Sequence, residues 1–244
     1  MWNNRQAENG PMTTGAPSRA GGRRSRMLAA ITAIIVLAAG VYLWSWLADA
    51  PRSDGIDQTP PHAVAGGDGV SLVPITATAP TLVVVSDYAC PHCASAHATL
   101  SSVLDEAAEQ GKANVVYRTR TTVSPSSRSA AIAAACADIA GAYKDFSDAL
   151  YERQSPMGFT TRELRGTIPS SAGITGEALS AYLTCFDGQE TGRFVDATQR
   201  ATERYGIAGV PGFLLDERDV TLDLWDPVLK EFSADRLRLL LGMS

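Results

Sequence analysis

Positive charge is scarce where a nucleic-acid binder would need it. Beyond residue 47 the chain carries 16 basic and 25 acidic side chains, and a net charge of −9 on that stretch repels a phosphate backbone. Charge of either sign is missing from residues 27–47, which are 21 uncharged, mostly apolar residues. A uniform soluble globule is therefore excluded. No internal repeat is present, so a solenoid or propeller is excluded too. Cysteine is limited to four residues and histidine to three.

The uncharged run has helical reach of about 31 Å, close to one bilayer core. Arg19, Arg23, Arg24 and Arg26 precede it, and Asp49, Asp54 and Asp57 follow. The positive-inside rule puts residues 1–26 in the cytoplasm and everything past residue 47 outside. Tyr42, Trp44 and Trp46 cluster at the far end, where amphipathic rings favour the headgroup region. A cleaved signal peptide is the competing reading, because Ala48-Asp49-Ala50 resembles a cleavage site. Pro51 fits such a site poorly, and the apolar run is longer than a signal peptide needs. The Arg23-Arg24 pair hints weakly at a twin-arginine signal. All three readings deliver the remainder to an extracytoplasmic compartment.

Four segments follow: a disordered tail (1–26), a transmembrane helix (27–47), a Pro/Gly-rich linker (48–69) and one domain (70–244). His62, between prolines and glycines of the linker, reads as solvated. Residues 70–75 suggest an edge strand interrupted by Pro74. Residues 81–86 (TLVVVS) form a continuous β-branched run, as in a strand buried on both faces. The run leads into Cys90-Pro91-His92-Cys93. Leu100, Val103, Leu104, Ala107 and Ala108 then recur at helical spacing up to Gly111, and residues 114–118 form a second strand. This is a βαβ unit with a CxxC at its first turn.

Strand signals are absent from about 125–205. Pro125 suits the first turn of an Ala-rich helix. Helices are expected at 142–153, after the capping box Thr160–Glu163, from Thr175 to Cys185, and over 189–205. Strands are expected again at 212–215 and 220–224, joined by a turn at 216–219. Ser233 can cap a last helix over 234–241.

The cysteines form two kinds of pair. Cys90 at a helix start faces unpaired N–H groups and the positive end of the helix dipole, which favour its thiolate. Pro91 needs no N–H there. His92 can add positive charge, and Cys93, one turn along, can close back on Cys90. An inert disulfide would be a poor staple across so short a loop. A zinc site would need four ligands, and only His97 is near. Haem attachment needs His where Ala94 stands. His97 itself reads as packed or surface-facing. Cys136 and Cys185 read as a structural disulfide closing a loop of about 50 residues, worth roughly 4 kcal/mol. Two buried free thiols are the alternative.

Ser86-Asp87-Tyr88-Ala89-Cys90-Pro91-His92-Cys93 resembles the active-site segment of DsbA-like thioredoxin-fold oxidoreductases. Gly209-Val210-Pro211-Gly212-Phe213 looks like the family's cis-proline loop, and the helical block resembles its insertion. The match covers about residues 70–244 and looks like the membrane-anchored DsbA-like proteins of actinobacteria. The resemblance implies an α/β thioredoxin fold with an inserted helical domain, preceded here by one transmembrane helix. It implies a cis bond before Pro211, with the Val210 backbone free to hold an extended substrate. Gly212 stands where many relatives have a larger residue, which suggests a wider substrate groove.

The activity implied is a thiol-disulfide oxidase acting on unfolded, exported, Cys-containing proteins. Cys90 would be the nucleophile and Cys93 the resolving thiol, with no cofactor or metal beyond the redox-active disulfide. A membrane quinone-linked reoxidant of DsbB or VKOR type would recharge it. A reductase or isomerase is the alternative, although the linker leaves no room for a dimerisation domain, so a monomer is expected. A metal chaperone using Cys90, Cys93 and His97 is a third reading.

Overall fold

The computed structural model describes residues 33, 35–40, 57–155 and 157–243. The chain divides into two units, Met1–Ala50 and Pro51–Ser244. In the first, residues 33 and 35–40 are helical, with Ile35, Val36 and Leu37 exposed. The tail at 1–26 and most of the apolar run at 27–47 lie outside the described residues. Among the described residues, no helix is long and apolar enough to cross a membrane.

The second unit is built on a four-stranded mixed sheet in the order β2-β1-β3-β4. Strand β1 (Thr81–Ser86) lies in its centre. It pairs in parallel with β2 (Asn114–Thr119) and antiparallel with β3 (Gly212–Leu215), which carries the short β4 (Arg218–Asp219). The unbroken apolar run of β1 is used on both faces. Leu82 and Val84 pack with α1 (Pro91–Glu109) and the closing helix, while Val83 and Val85 meet Val116, Ile207 and Leu214. Alternation along a strand sends neighbours to opposite faces, so a strand covered twice has no polar positions. Helix α1 buries Leu100, Val103, Leu104 and Ala107 against the sheet and stops at Gly111, whose φ of +64° a side chain would resist.

Between β2 and β3 lies a helical block. It comprises α2 (Ser127–Ile139), α3 (Tyr143–Glu152), a π-helical turn (Glu163–Thr167) running into α4 (Ile168–Ser171), α5 (Gly176–Gly188) and α6 (Gly192–Arg204). The alanines of α2 are buried almost throughout and let Phe146, Tyr182 and Phe186 approach closely. The Thr160–Glu163 box forms in both directions, with each backbone N–H donating to the other side chain. Pro125 lies in a turn ahead of α2 rather than within it.

Two readings of the sequence change. Residues 220–224 are expected as a strand but form a helical turn, α7 (Thr221–Leu224). The hairpin turn is tighter than its polar stretch suggests: Asp216 and Glu217 take positive φ, so Arg218–Asp219 already pair as β4. The Asp219 carboxylate then accepts the Thr221 N–H and starts the helix, with Val220 and Leu224 buried four apart. A small ribbon follows, β5 (Trp225–Asp226) with β6 (Glu231–Phe232), then α8 (Ala234–Leu240), capped by Ser233 accepting the Arg236 N–H.

The second change concerns His62. Its Nδ1 lies 2.7 Å from Asp138 Oδ1, and its backbone N–H donates to Oδ2 of the same buried carboxylate. It is not simply solvated. The chain is already tied to the helical block at Gln58, whose N–H donates to the Glu190 carbonyl. The 70–75 segment contributes only Val70, bridged to Ala63 and Tyr117.

Candidate active site

Strand β1 ends at Ser86, and three residues, Asp87 to Ala89, carry the chain to Cys90. Asp87 shapes this bend. It is fully buried, and its carboxylate accepts three backbone N–H groups, from Ala89, Thr122 and Val123. One side chain therefore fastens the dithiol loop to the segment after β2. An Asp that bonds the backbone two residues on is a known turn former, and that signal was open to a sequence reading. Sequence reasoning passed over it.

Cys90 stands at the cap position of α1 in extended conformation, and Pro91 opens the helix. The N–H groups of Cys93 and Ala94 point at the Cys90 carbonyl. Both Cys90 and Cys93 are free and buried. Their surroundings split them. The Cys90 pKa is lowered to about 6, chiefly by a hydrogen bond from the Cys93 thiol, with burial opposing. The backbone N–H groups of Cys93 and His92 contribute next, and the charge of His92 least. The role expected of the His92 imidazole thus falls mainly to the Cys93 thiol, with the backbone second. Cys93 moves the other way, well above the ordinary thiol range, because it donates to Cys90 and is buried. Its Sγ also accepts the Asp87 N–H at 3.4 Å.

Opposite the thiols, the Val210–Pro211 peptide is cis. The Val210 carbonyl lies 3.6 Å from Cys90 Sγ and accepts its S–H. The register explains the meeting: Val85, near the end of β1, pairs with Gly212 at the start of β3. Arg120 steadies the approach to this loop by donating to the Ile207 carbonyl. Gly212 does not widen the groove. A Cβ there would lie 2.6 Å from Ile207 Cγ2, so Ile207 already occupies the space.

Helix α3 reaches the loop from the other side. The Tyr88 hydroxyl lies 2.8 Å from Ser147 Oγ, and Gln154 donates to the Tyr88 carbonyl. Between α1 and α3 an open cleft runs past Cys93, Pro211, His97, Tyr143 and Tyr151. His97 is part-buried in it, bonded to Asp148 and packed at a tilt against Tyr151. Cys136 and Cys185 are bonded to each other, joining α2 to α5 at a Cα separation of 5.7 Å. Among the described residues, no three His, Cys, Asp or Glu side chains are arranged to hold a metal.

A CxxC at the start of the helix that follows a central strand, facing a cis-proline at the start of the neighbouring strand, defines a thioredoxin-type dithiol site. The chain belongs to the thioredoxin family, whose model matches residues 76–231. With its helical insertion, the fold is the DsbA-like form. MdbA, a thiol-disulfide oxidoreductase from Actinomyces oris, is 19% identical with a TM-score of 0.59, covering 79% of this chain and 95% of its own. MdbA from Corynebacterium diphtheriae is 17% identical, with a TM-score of 0.57 over 69% and 91%. BdbD from Bacillus subtilis is 15% identical, with a TM-score of 0.57 over 76% and 97%. No curated protein matches the chain.

Proposed function

We propose that this chain is a thiol-disulfide oxidase that donates the Cys90–Cys93 disulfide to exported, Cys-containing proteins. The observation that carries the reading is the divided character of the two thiols, Cys90 lowered to about 6 and Cys93 raised. A substrate thiolate attacks Cys90 Sγ, a mixed disulfide forms, and Cys93 leaves and takes a proton. A second substrate thiolate attacks the substrate sulfur of that bond, and Cys90 leaves as a thiolate. The substrate gains a disulfide and loses two electrons, which the Cys pair keeps. A low-pKa sulfur leaves fast, and stabilising it stabilises the reduced pair, so the disulfide is oxidising.

Pro91 leaves the start of α1 free of an unneeded donor, and His92 lends its N–H. The Val210 carbonyl, which meets the Cys90 thiol at rest, is placed to take an N–H of an extended substrate beside the scissile sulfur. Cys136–Cys185 serves as a staple of the helical block. The names of the MdbA structures from Actinomyces oris and Corynebacterium diphtheriae, thiol-disulfide oxidoreductases, accord with this chemistry.

The domain works outside the cytoplasm as a monomer, held by residues 27–47 as a single-pass anchor with residues 1–26 inside. The charge pattern and the exposed helical Ile35, Val36 and Leu37 support the anchor. A quinone-linked membrane protein of DsbB or VKOR type recharges the pair, and the anchor keeps the domain near it. The test is the reduction potential of the Cys90–Cys93 pair. A value toward about −120 mV supports an oxidase, and one near about −270 mV makes the protein a reductant. Cys90→Ser is expected to abolish oxidation of a reduced peptide, and activity surviving in that variant would sink the mechanism.

A further inference from the structure

Recharging the pair poses a proton problem. After Cys90 has formed a mixed disulfide with an oxidant, Cys93 must attack it as a thiolate, and although it no longer donates to a Cys90 thiolate, its burial still disfavours the charge. Three nearby groups are already committed. The Asp87 carboxylate is filled by three backbone N–H groups. The Tyr151 hydroxyl donates to Ser86 Oγ, and the Tyr88 hydroxyl is paired with Ser147.

His97 is differently placed. It lies one helical turn after Cys93 on α1, so the two side chains share a face. Both line the same cleft. Its Nε2 is 2.7 Å from Asp148 Oδ1. A carboxylate accepts only, so Nε2 carries the hydrogen and Nδ1 carries the lone pair. Among the described residues, Nδ1 makes no hydrogen bond. The ring also packs against Tyr151, tilted by 30° with 4.5 Å between centroids. Asp148 is in turn held by Lys144, which also reaches Asp105.

We propose that His97, oriented by Asp148, is the proton acceptor for Cys93 when it attacks the mixed disulfide at Cys90. The inference rests on the thiol-exchange reading above. The Cys93 S–H proton passes through cleft water to His97 Nδ1. The Cys93–Cys90 bond forms, the bond between Cys90 and its partner breaks, and the partner sulfur leaves as a thiolate with the electron pair. In the reverse direction, His97 returns the proton to departing Cys93. Asp148 is a positioning residue. The groups that face His97 are Asp148, Lys144, Tyr143 and Tyr151 from α3, Cys93 and Asp105 from its own helix, Tyr88 from the dithiol loop and Tyr117 from β2.

The test uses the reduced full chain and 5,5′-dithiobis(2-nitrobenzoate), followed by stopped flow from about pH 5 to 8, where imidazole is the side chain that ordinarily titrates. Two nitrothiophenolate releases are expected, the first from attack by Cys90 and the second from attack by Cys93. Cys90 is covalently blocked in the second phase, so its own titration does not enter. In His97→Gln the first phase stays within about twofold, and the second slows by about a hundredfold at neutral pH and loses its inflection. Added imidazole restores the second phase in His97→Ala. Asp148→Asn loosens the ring's orientation and slows the second phase by about tenfold while the first stays within about twofold, and Asp148→Glu, which keeps a carboxylate for Nε2, restores the second phase. A second phase in His97→Gln with the wild-type rate and pH profile overturns the inference while leaving thiol exchange standing. Absence of any first phase in the wild-type chain overturns the exchange reading and takes this inference with it.

Discussion

The Asp87 N–H points at Cys93 Sγ from 3.4 Å, while the Asp87 carboxylate points the other way into three backbone N–H groups. One residue thus fixes the resolving thiol and the loop that carries the nucleophile. Asp87→Asn keeps the size but lets only its carbonyl oxygen accept, with an NH₂ facing N–H groups. The expected loss is about 2–4 kcal/mol of stability, since buried donors without partners cost about 1–3 kcal/mol each. The midpoint of urea unfolding checks it, and an unchanged midpoint would remove Asp87 from this role.

The divided thiols set a pH law for the potential. Below about pH 6, reducing the disulfide takes up two protons, and above it only one, because Cys90 stays ionised while Cys93 stays protonated. The potential is expected to fall by about 30 mV per pH unit between pH 7 and 8, rather than about 59 mV. The same shift has a sign for stability. A depressed thiol pKa adds stability to the reduced fold above the unfolded thiol pKa, and that gain is lost as pH falls through about 6. Alkylation of Cys90 by iodoacetamide should reach half its maximal rate near pH 6. A midpoint above pH 8 contradicts the thiolate assignment.

Gly212 and Ile207 form a lock that can be opened from either side. Gly212→Ala drives a methyl against Ile207 and is expected to cost about 1–3 kcal/mol. Ile207→Ala removes the obstructing Cγ2, so Gly212→Ala should cost less in that background than in the wild-type chain. A thermal melt of the two single variants and the double variant gives the coupling. Additive losses would show that the two side chains do not meet.

The Cys136–Cys185 bond should matter for stability and not for redox chemistry. Replacing both by Ala is expected to lower stability by about 2–4 kcal/mol through the reopened loop. The rate at which the folded fraction exchanges with a reduced peptide should stay within about twofold. A selective loss of exchange would tie this bond to the active site.

Much of this architecture is legible in the residues. TLVVVS marks the central strand because burial on both faces leaves no polar position. The Ala-rich stretch and the capping box mark the helical block. The CxxC is legible as a pair because its spacing matches one helical turn. What escaped depends on partners far away in sequence. His62 reads as solvated until Asp138 is brought to it by α2. His97 looks unremarkable until α3 supplies Asp148 and Tyr151. The strand expected at 220–224 fails for a local reason, two positive-φ residues that shorten the turn and shift the pairing. The Gly212 groove fails because a side chain five positions earlier folds over it.

The sheet order has a consequence for synthesis. Strand β1 carries the thiols, yet its antiparallel neighbour β3 is translated only after the whole helical block. A growing chain therefore presents Cys90 and Cys93 well before the loop that faces them exists. Pairings so distant along the chain form slowly. Through that interval the future oxidoreductase is itself an unfolded, cysteine-bearing chain, open to thiol exchange with a folded copy of the same protein.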